Sequence, residues 1–158
     1  MNHTKDLRVQ LVNLLSVRQA HMSFDDAVRD FPLEHINTKP QNVPYSFWHL
    51  LEHLRICQRD ILDYIRDPNY TAPNFPDDLW PDENATTDEA GWQHTISQFQ
   101  ADLAALIALI NDPQTDVYEQ IPHGALGHTI LREVLVVADH NAYHIGEFAI
   151  LRQMLGLW

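Results

Sequence analysis

Trp92, Ile96, Phe99, Leu103, Leu106 and Ile110 recur at intervals of three and four, and no run of the chain alternates every two residues between hairpin turns. Residues three and four apart stack on one side of an α-helix, so the spacing predicts a helical seam and leaves no sheet to build. Three further long runs read the same way. Thr4 is placed to cap a first helix carrying Leu7, Leu11, Leu14 and Leu15 and running to about His21. Ser46 caps a second, with Phe47, Leu50, Leu51, Leu54, Cys57, Ile61, Leu62 and Ile65 on one side, ended before Pro68. Thr86-x-x-Glu89 reads as a capping box for the helix bearing the seam, and Asn111-Asp112-Pro113 stops it. Thr129 opens the fourth, Ile130 to Leu155, which is apolar around much of its circumference and ends at Gly156. Such a helix is expected in the middle of the molecule. Ser23 with Asp25 and Asp26 marks a short connecting helix that ends near Phe31-Pro32.

These elements predict an all-α fold, a four-helix bundle formed by residues 1–158 as a single domain. The joint from Asp67 to Ala85 carries Pro68, Pro73, Pro76 and Pro81. It is much longer than the two to eight residues usual between antiparallel helices, so the topology need not be simple up-and-down. A chain of 158 residues buries enough surface to fold without a disulfide or a structural metal. With 10 Lys+Arg against 22 Asp+Glu, a formal charge of -12, nucleic acid is excluded as a partner by long-range repulsion. No apolar run approaches the roughly 20 residues that span a bilayer, and Met1 to Gln10 lacks the apolar core of a signal peptide. A cytoplasmic protein without membrane contact is expected, and the one cysteine, Cys57, fits a reducing compartment.

Ten histidines point to chemistry. Two His-x-x-x-His pairs, His49/His53 and His140/His144, fall in the second and fourth long helices, and each pair shares a helix face. At about 100° per residue His53 lies at the edge of its helix's apolar stripe, whereas His49 turns well away and reads as an exposed residue. His140 and His144 flank the apolar arc of the fourth helix on a face shared with Glu133, Val136, Glu147 and Leu151, a face suited to lining a cleft. Three imidazoles from two neighbouring helices would hold a metal with one position open for water or substrate. Glu147, one turn after His144, is the candidate catalytic carboxylate, able to orient an imidazole or to carry a proton. Cys57 reads first as a small packing residue and second as a ligand. His123 and His128 fall in or beside a loop, where exposure is the default. Arg152 lies on an apolar side and requires a carboxylate, a carbonyl or a substrate anion.

The segment Trp48-His49-Leu50-Leu51-Glu52-His53-Leu54-Arg55, with Leu131-Arg132-Glu133-Val134-Leu135, Asp139-His140-Asn141-Ala142-Tyr143-His144-Ile145-Gly146-Glu147 and Leu151-Arg152-Gln153-Met154-Leu155-Gly156, closely resembles the DinB-like superfamily of bacterial damage-inducible proteins. Its strongest part is His-x-x-x-His-Ile-Gly-Glu followed by Leu-Arg-x-x-Leu-Gly. The resemblance implies a four-helix bundle of non-simple, crossover topology, often a homodimer. It also implies a metal held by His53, His140 and His144. His49 matches a position that the family does not hold as a histidine. Relatives in that superfamily include thiol transferases that use bacillithiol or mycothiol and a mycothiol-dependent isomerase.

One divalent transition metal is therefore expected; three neutral imidazoles suit zinc, nickel, iron or copper without choosing among them, and zinc is preferred, with nickel next. An open position on such an ion makes a nucleophile of a bound thiol or water at neutral pH. Three readings follow: a metal-dependent thiol S-transferase using a low-molecular-weight thiol on small-molecule electrophiles, a metal-dependent hydrolase, or a noncatalytic metal-binding, dimerising stress protein.

Overall fold

The computed structural model describes residues 3–124 and 127–158, with side chains from Lys5 onward. Among the described residues there are five α-helices and no strand: α1 His3–Ser16, α2 Phe24–Val28, α3 Phe47–Arg66, α4 Glu89–Asn111 and α5 Ile130–Met154. Two 3-10 turns, Leu33–His35 and Asp77–Leu79, punctuate the joins. The all-α architecture read from the sequence is thus the one observed.

Helix ends show where local chemistry governs. Ser23 and Asp26 form a reciprocal capping box at α2, which runs only to Val28 and so stops short of Phe31. Ser46 caps α3 and Thr129 caps α5, as expected. The expected capping box at Thr86 is corrected: the cap of α4 is Asp88, whose carboxylate accepts from the Gly91 N–H at 2.9 Å. Thr4 lies inside α1, and its capping role concerns a side chain outside those described. The first helix also ends at Ser16 rather than near His21. Leu14 and Val17 are about half exposed, so a further turn would bury little apolar surface to offset its ordering.

Helix α3 packs against α4 and α5, and α1 packs against the same two helices. Phe47, Leu50, Leu51, Leu54, Trp92, Phe99 and Phe148 form the main core with Phe24 and Phe31, and Leu62, Ile65, Leu106, Ile121 and Val137 fill the next layer. A buried amide chain crosses between these layers: Asn141 donates to Gln58 Oε1 at 3.0 Å, and Gln58 donates to the Phe99 carbonyl at 2.8 Å. Arg152 is buried, donates to the carbonyls of Ala27, Arg29, Asp30 and Leu157 at 2.8–3.2 Å, and lies over the Trp158 ring at 4.2 Å and the Phe31 ring at 5.3 Å. It therefore ties the end of α5 to the end of α2 and the turn that follows.

The central place expected for α5 is corrected in part. One side of it is packed, but Leu135, Tyr143, Ile150 and Met154 are exposed along the other.

Candidate metal centre

His53 on α3 and His140 and His144 on α5 come together where the two helices pack. His53 Nε2 lies 3.2 Å from His140 Nε2 and 3.2 Å from His144 Nε2. Two imidazole nitrogens bound at 2.0–2.1 Å to one tetrahedral ion stand about 3.3 Å apart, so these separations suit a shared ion.

The outer nitrogens settle which way the lone pairs point. His53 Nδ1 lies 2.7 Å from the Leu79 carbonyl, which only accepts, so Nδ1 carries the proton and Nε2 is bare. His144 Nδ1 lies 2.8 Å from Glu147 Oε2, and the other Glu147 oxygen accepts from the Tyr45 hydroxyl. His144 Nε2 is then bare as well. Two bare lone pairs then face each other at 3.2 Å, an arrangement that a cation between them would satisfy, and burial disfavours protonating either ring. Burial, and next the charges of His140 and His53, pushes His144 down to about 3. Burial and then His53 hold His140 at about 4, with the Asn141 carboxamide and Asp139 opposing. Burial lowers His53 too, against the Leu79 carbonyl. The donor set is three neutral imidazoles at pH 7, which fits a divalent transition metal.

The supporting shell comes from segments whose role the sequence did not disclose. Trp80 lies flat on His53, with ring centroids 3.8 Å apart and planes 5° apart, and Tyr45 in turn stacks against Trp80. The turn Asp77–Leu79 supplies the carbonyl that orients His53. Of the three aromatic residues among the prolines of the long joint, Tyr70, Phe75 and Trp80, the last two were the available signal.

Glu147 is half-buried and has both oxygens engaged, so the geometry gives it the work of orienting His144. Burial raises its carboxyl above the ordinary range.

His49 is corrected. It is 3% exposed rather than solvent-facing. Its Nδ1 meets the Ser46 hydroxyl at 2.6 Å and accepts from the Ser46 N–H at 3.3 Å, and its Nε2 donates to the Asp82 carbonyl at 2.9 Å. It completes the capping box of α3 and lies outside the cluster. Cys57 is nearer the centre than a mere packing residue. Its Sγ lies 3.5 Å from His53 Nδ1 and 3.8 Å from Nε2, and the ligand atoms of His53, Cys57 and His140 all fall within 4.8 Å. That trio, with His53 and Cys57 buried and His140 half-buried, can also hold a metal ion. Burial, and then Asp60, pushes the thiol up to about 12.

The expected exposure of the loop histidines is corrected too: His123 meets the Tyr64 carbonyl at 2.6 Å, and His128 pairs with buried Glu133 at 3.0 Å.

In front of the imidazoles is a cavity of about 420 Å³, walled by Ile61, Phe75, Pro76, Leu79, Trp80 and Val136.

Four long helices with imidazoles from two of them facing one cavity define a helical protein with a candidate metal centre. The sequence profile of the DinB superfamily matches residues 16–148, and the chain belongs to that superfamily. No curated protein and no solved structure matches it. Among the described residues no helix is long and apolar enough to cross a membrane.

Proposed function

We propose that His53, His140 and His144 hold one divalent transition metal, zinc first and nickel next, and that the protein is a thiol S-transferase acting on small electrophiles. The observation that carries this reading is the pair of unprotonated nitrogens, His53 Nε2 and His144 Nε2, facing each other at 3.2 Å at the end of an open cavity. When bound, the ion supplies charge that favours a thiolate over a thiol at neutral pH. The chain's residues do the rest. Leu79 and Glu147 fix the tautomers of two imidazoles, and such outer partners hold ligand geometry. Trp80 covers the His53 ring, and the apolar walls keep bulk water from the reacting sulfur. In the reaction the thiol gives its proton to solvent and its sulfur attacks the electrophilic carbon. The leaving group departs with the bonding pair, and the product is a thioether.

The reading also includes a cytoplasmic homodimer with no nucleic-acid partner, acting as one domain. The exposed α5 stripe of Leu135, Tyr143, Ile150 and Met154 supports the homodimer.

Purified protein assayed without chelators should carry close to one equivalent of metal per chain and consume a low-molecular-weight thiol with a broad electrophile only when metal is bound. Turnover without thiol would assign hydrolysis instead. A metal-bearing protein inert in both assays, melting far lower once stripped, would assign a structural role. Absence of metal would overturn all of these.

A further inference from the structure

Phe75 is 86% exposed and forms part of the cavity wall in front of the imidazoles. Ile61, Pro76, Trp80 and Val136 make up most of the remaining wall, and no lysine or arginine lines the cavity. The charged side chain that does line it, Asp60, is half-buried and accepts from the Tyr70 hydroxyl at 2.8 Å. Asp60 and Leu79 also border the neighbouring cleft, where Arg55 and Arg59 lie. Those two arginines are committed elsewhere. Arg55 pairs with Glu52 at 2.6 Å, and Arg59 pairs with Asp63 at 2.8 Å and Asp102 at 3.3 Å. An anionic ligand would thus meet a carboxylate and apolar carbon, with no side-chain cation to offset its desolvation. An uncharged ring would instead bury its surface against Phe75 and the aliphatic wall, and about 150 Å³ already suffices for benzene.

We infer that the cavity takes an uncharged apolar group, of one or two rings, with Phe75 as its outer wall and Asp60 as the feature that turns anions away. The inference rests on the metal-centre reading for what the group reacts with, and on the cavity for what the group is.

The test uses cobalt(II)-loaded protein and three probes: benzyl mercaptan, 4-(mercaptomethyl)benzoate and the corresponding benzamide, which separates charge from size. Binding is read from sulfur-to-cobalt absorption. The benzoate should bind at least about 10-fold more weakly than the benzamide, and Asp60→Asn should narrow that gap. Phe75→Ala should weaken benzyl mercaptan about 3- to 10-fold while leaving cobalt uptake and 2-mercaptoethanol binding unchanged. Equal binding of benzoate and benzamide, or indifference to Phe75→Ala, overturns the inference and leaves the metal reading intact. Failure to take up cobalt overturns the metal reading. In metal-free protein, benzyl alcohol should shift the Trp80 indole N–H resonance where benzoate does not; equal shifts overturn the inference without reference to any metal.

Discussion

His49 and His53 are four residues apart on one helix and have different fates for reasons one residue wide. Ser46 captures the His49 ring as part of a helix cap, while His53, a turn later, passes beyond the cap and faces α5. His49→Ala should cost about 1–2 kcal/mol, the range for losing a cap with a buried hydrogen bond, and leave metal content unchanged; a urea titration beside metal analysis checks both. His140→Ala should instead abolish metal uptake, and Glu147→Gln should raise the metal dissociation constant about 10- to 100-fold by loosening the orientation of His144. The histidines also set a pH dependence. Unfolded, they titrate near 6.5; folded, burial holds His140 at about 4 and His144 at about 3. Between those values the unfolded chain binds more protons, so this contribution is full above about pH 6.5 and is lost as pH falls toward 4 and 3. Urea midpoints of metal-free protein should fall across that window, and more shallowly for His140→Gln. The helical wheel identified the side on which His53, His140 and His144 meet, because helical periodicity is local. It misplaced His49, because a carbonyl 33 residues away, that of Asp82, covers it.

At the scale of elements, the long joint between α3 and α4 is the part least legible in the sequence. Its prolines announced that it was neither helix nor strand, but what it does depends on where it passes. It runs beside α3, giving Leu79 O to His53, Asp82 O to His49 and the Trp80 ring to the face of His53. Backbone carbonyls carry no residue-specific signature, so no motif could have named them. The start of α4 shows a milder failure of the same kind. Thr86-x-x-Glu89 has the right letters for a capping box, yet Asp88 caps the helix, while the Thr87 backbone is held by Asn37, whose side chain bonds both its N–H at 3.0 Å and its carbonyl at 2.8 Å. That long-range clamp sets the backbone on which Asp88, two residues after Thr86, makes the cap. Asp88→Ala should therefore destabilise the fold by about 1 kcal/mol, and Thr86→Ala should be close to neutral, measured as paired chemical denaturations.

At the scale of the molecule, the apolar breadth of α5 was legible but its meaning was not. A helix apolar all round is expected in a core, and α5 satisfies that on the sides facing α3, α1 and α2. Its outer side still shows Leu135, Tyr143, Ile150 and Met154 on one face of the helix, with exposed Asp139 between the first two. Gly146 sits near the middle of that face, and a Cβ placed there would meet nothing within 4 Å. An outward apolar stripe with a glycine at its centre lets a two-fold copy of the same helix approach closely, each stripe covering the other. With a net charge of -12, two chains repel at long range, so the proposed association would rest on this apolar surface and should strengthen with salt rather than weaken. Sedimentation at tens of micromolar should find a dimer that holds or tightens at higher ionic strength. Ile150→Glu, at a position 56% exposed, should give a monomer with its fold and metal content intact. A monomeric wild-type chain under those conditions would assign the stripe to another partner, whereas a dimer indifferent to Ile150→Glu would move the interface off α5.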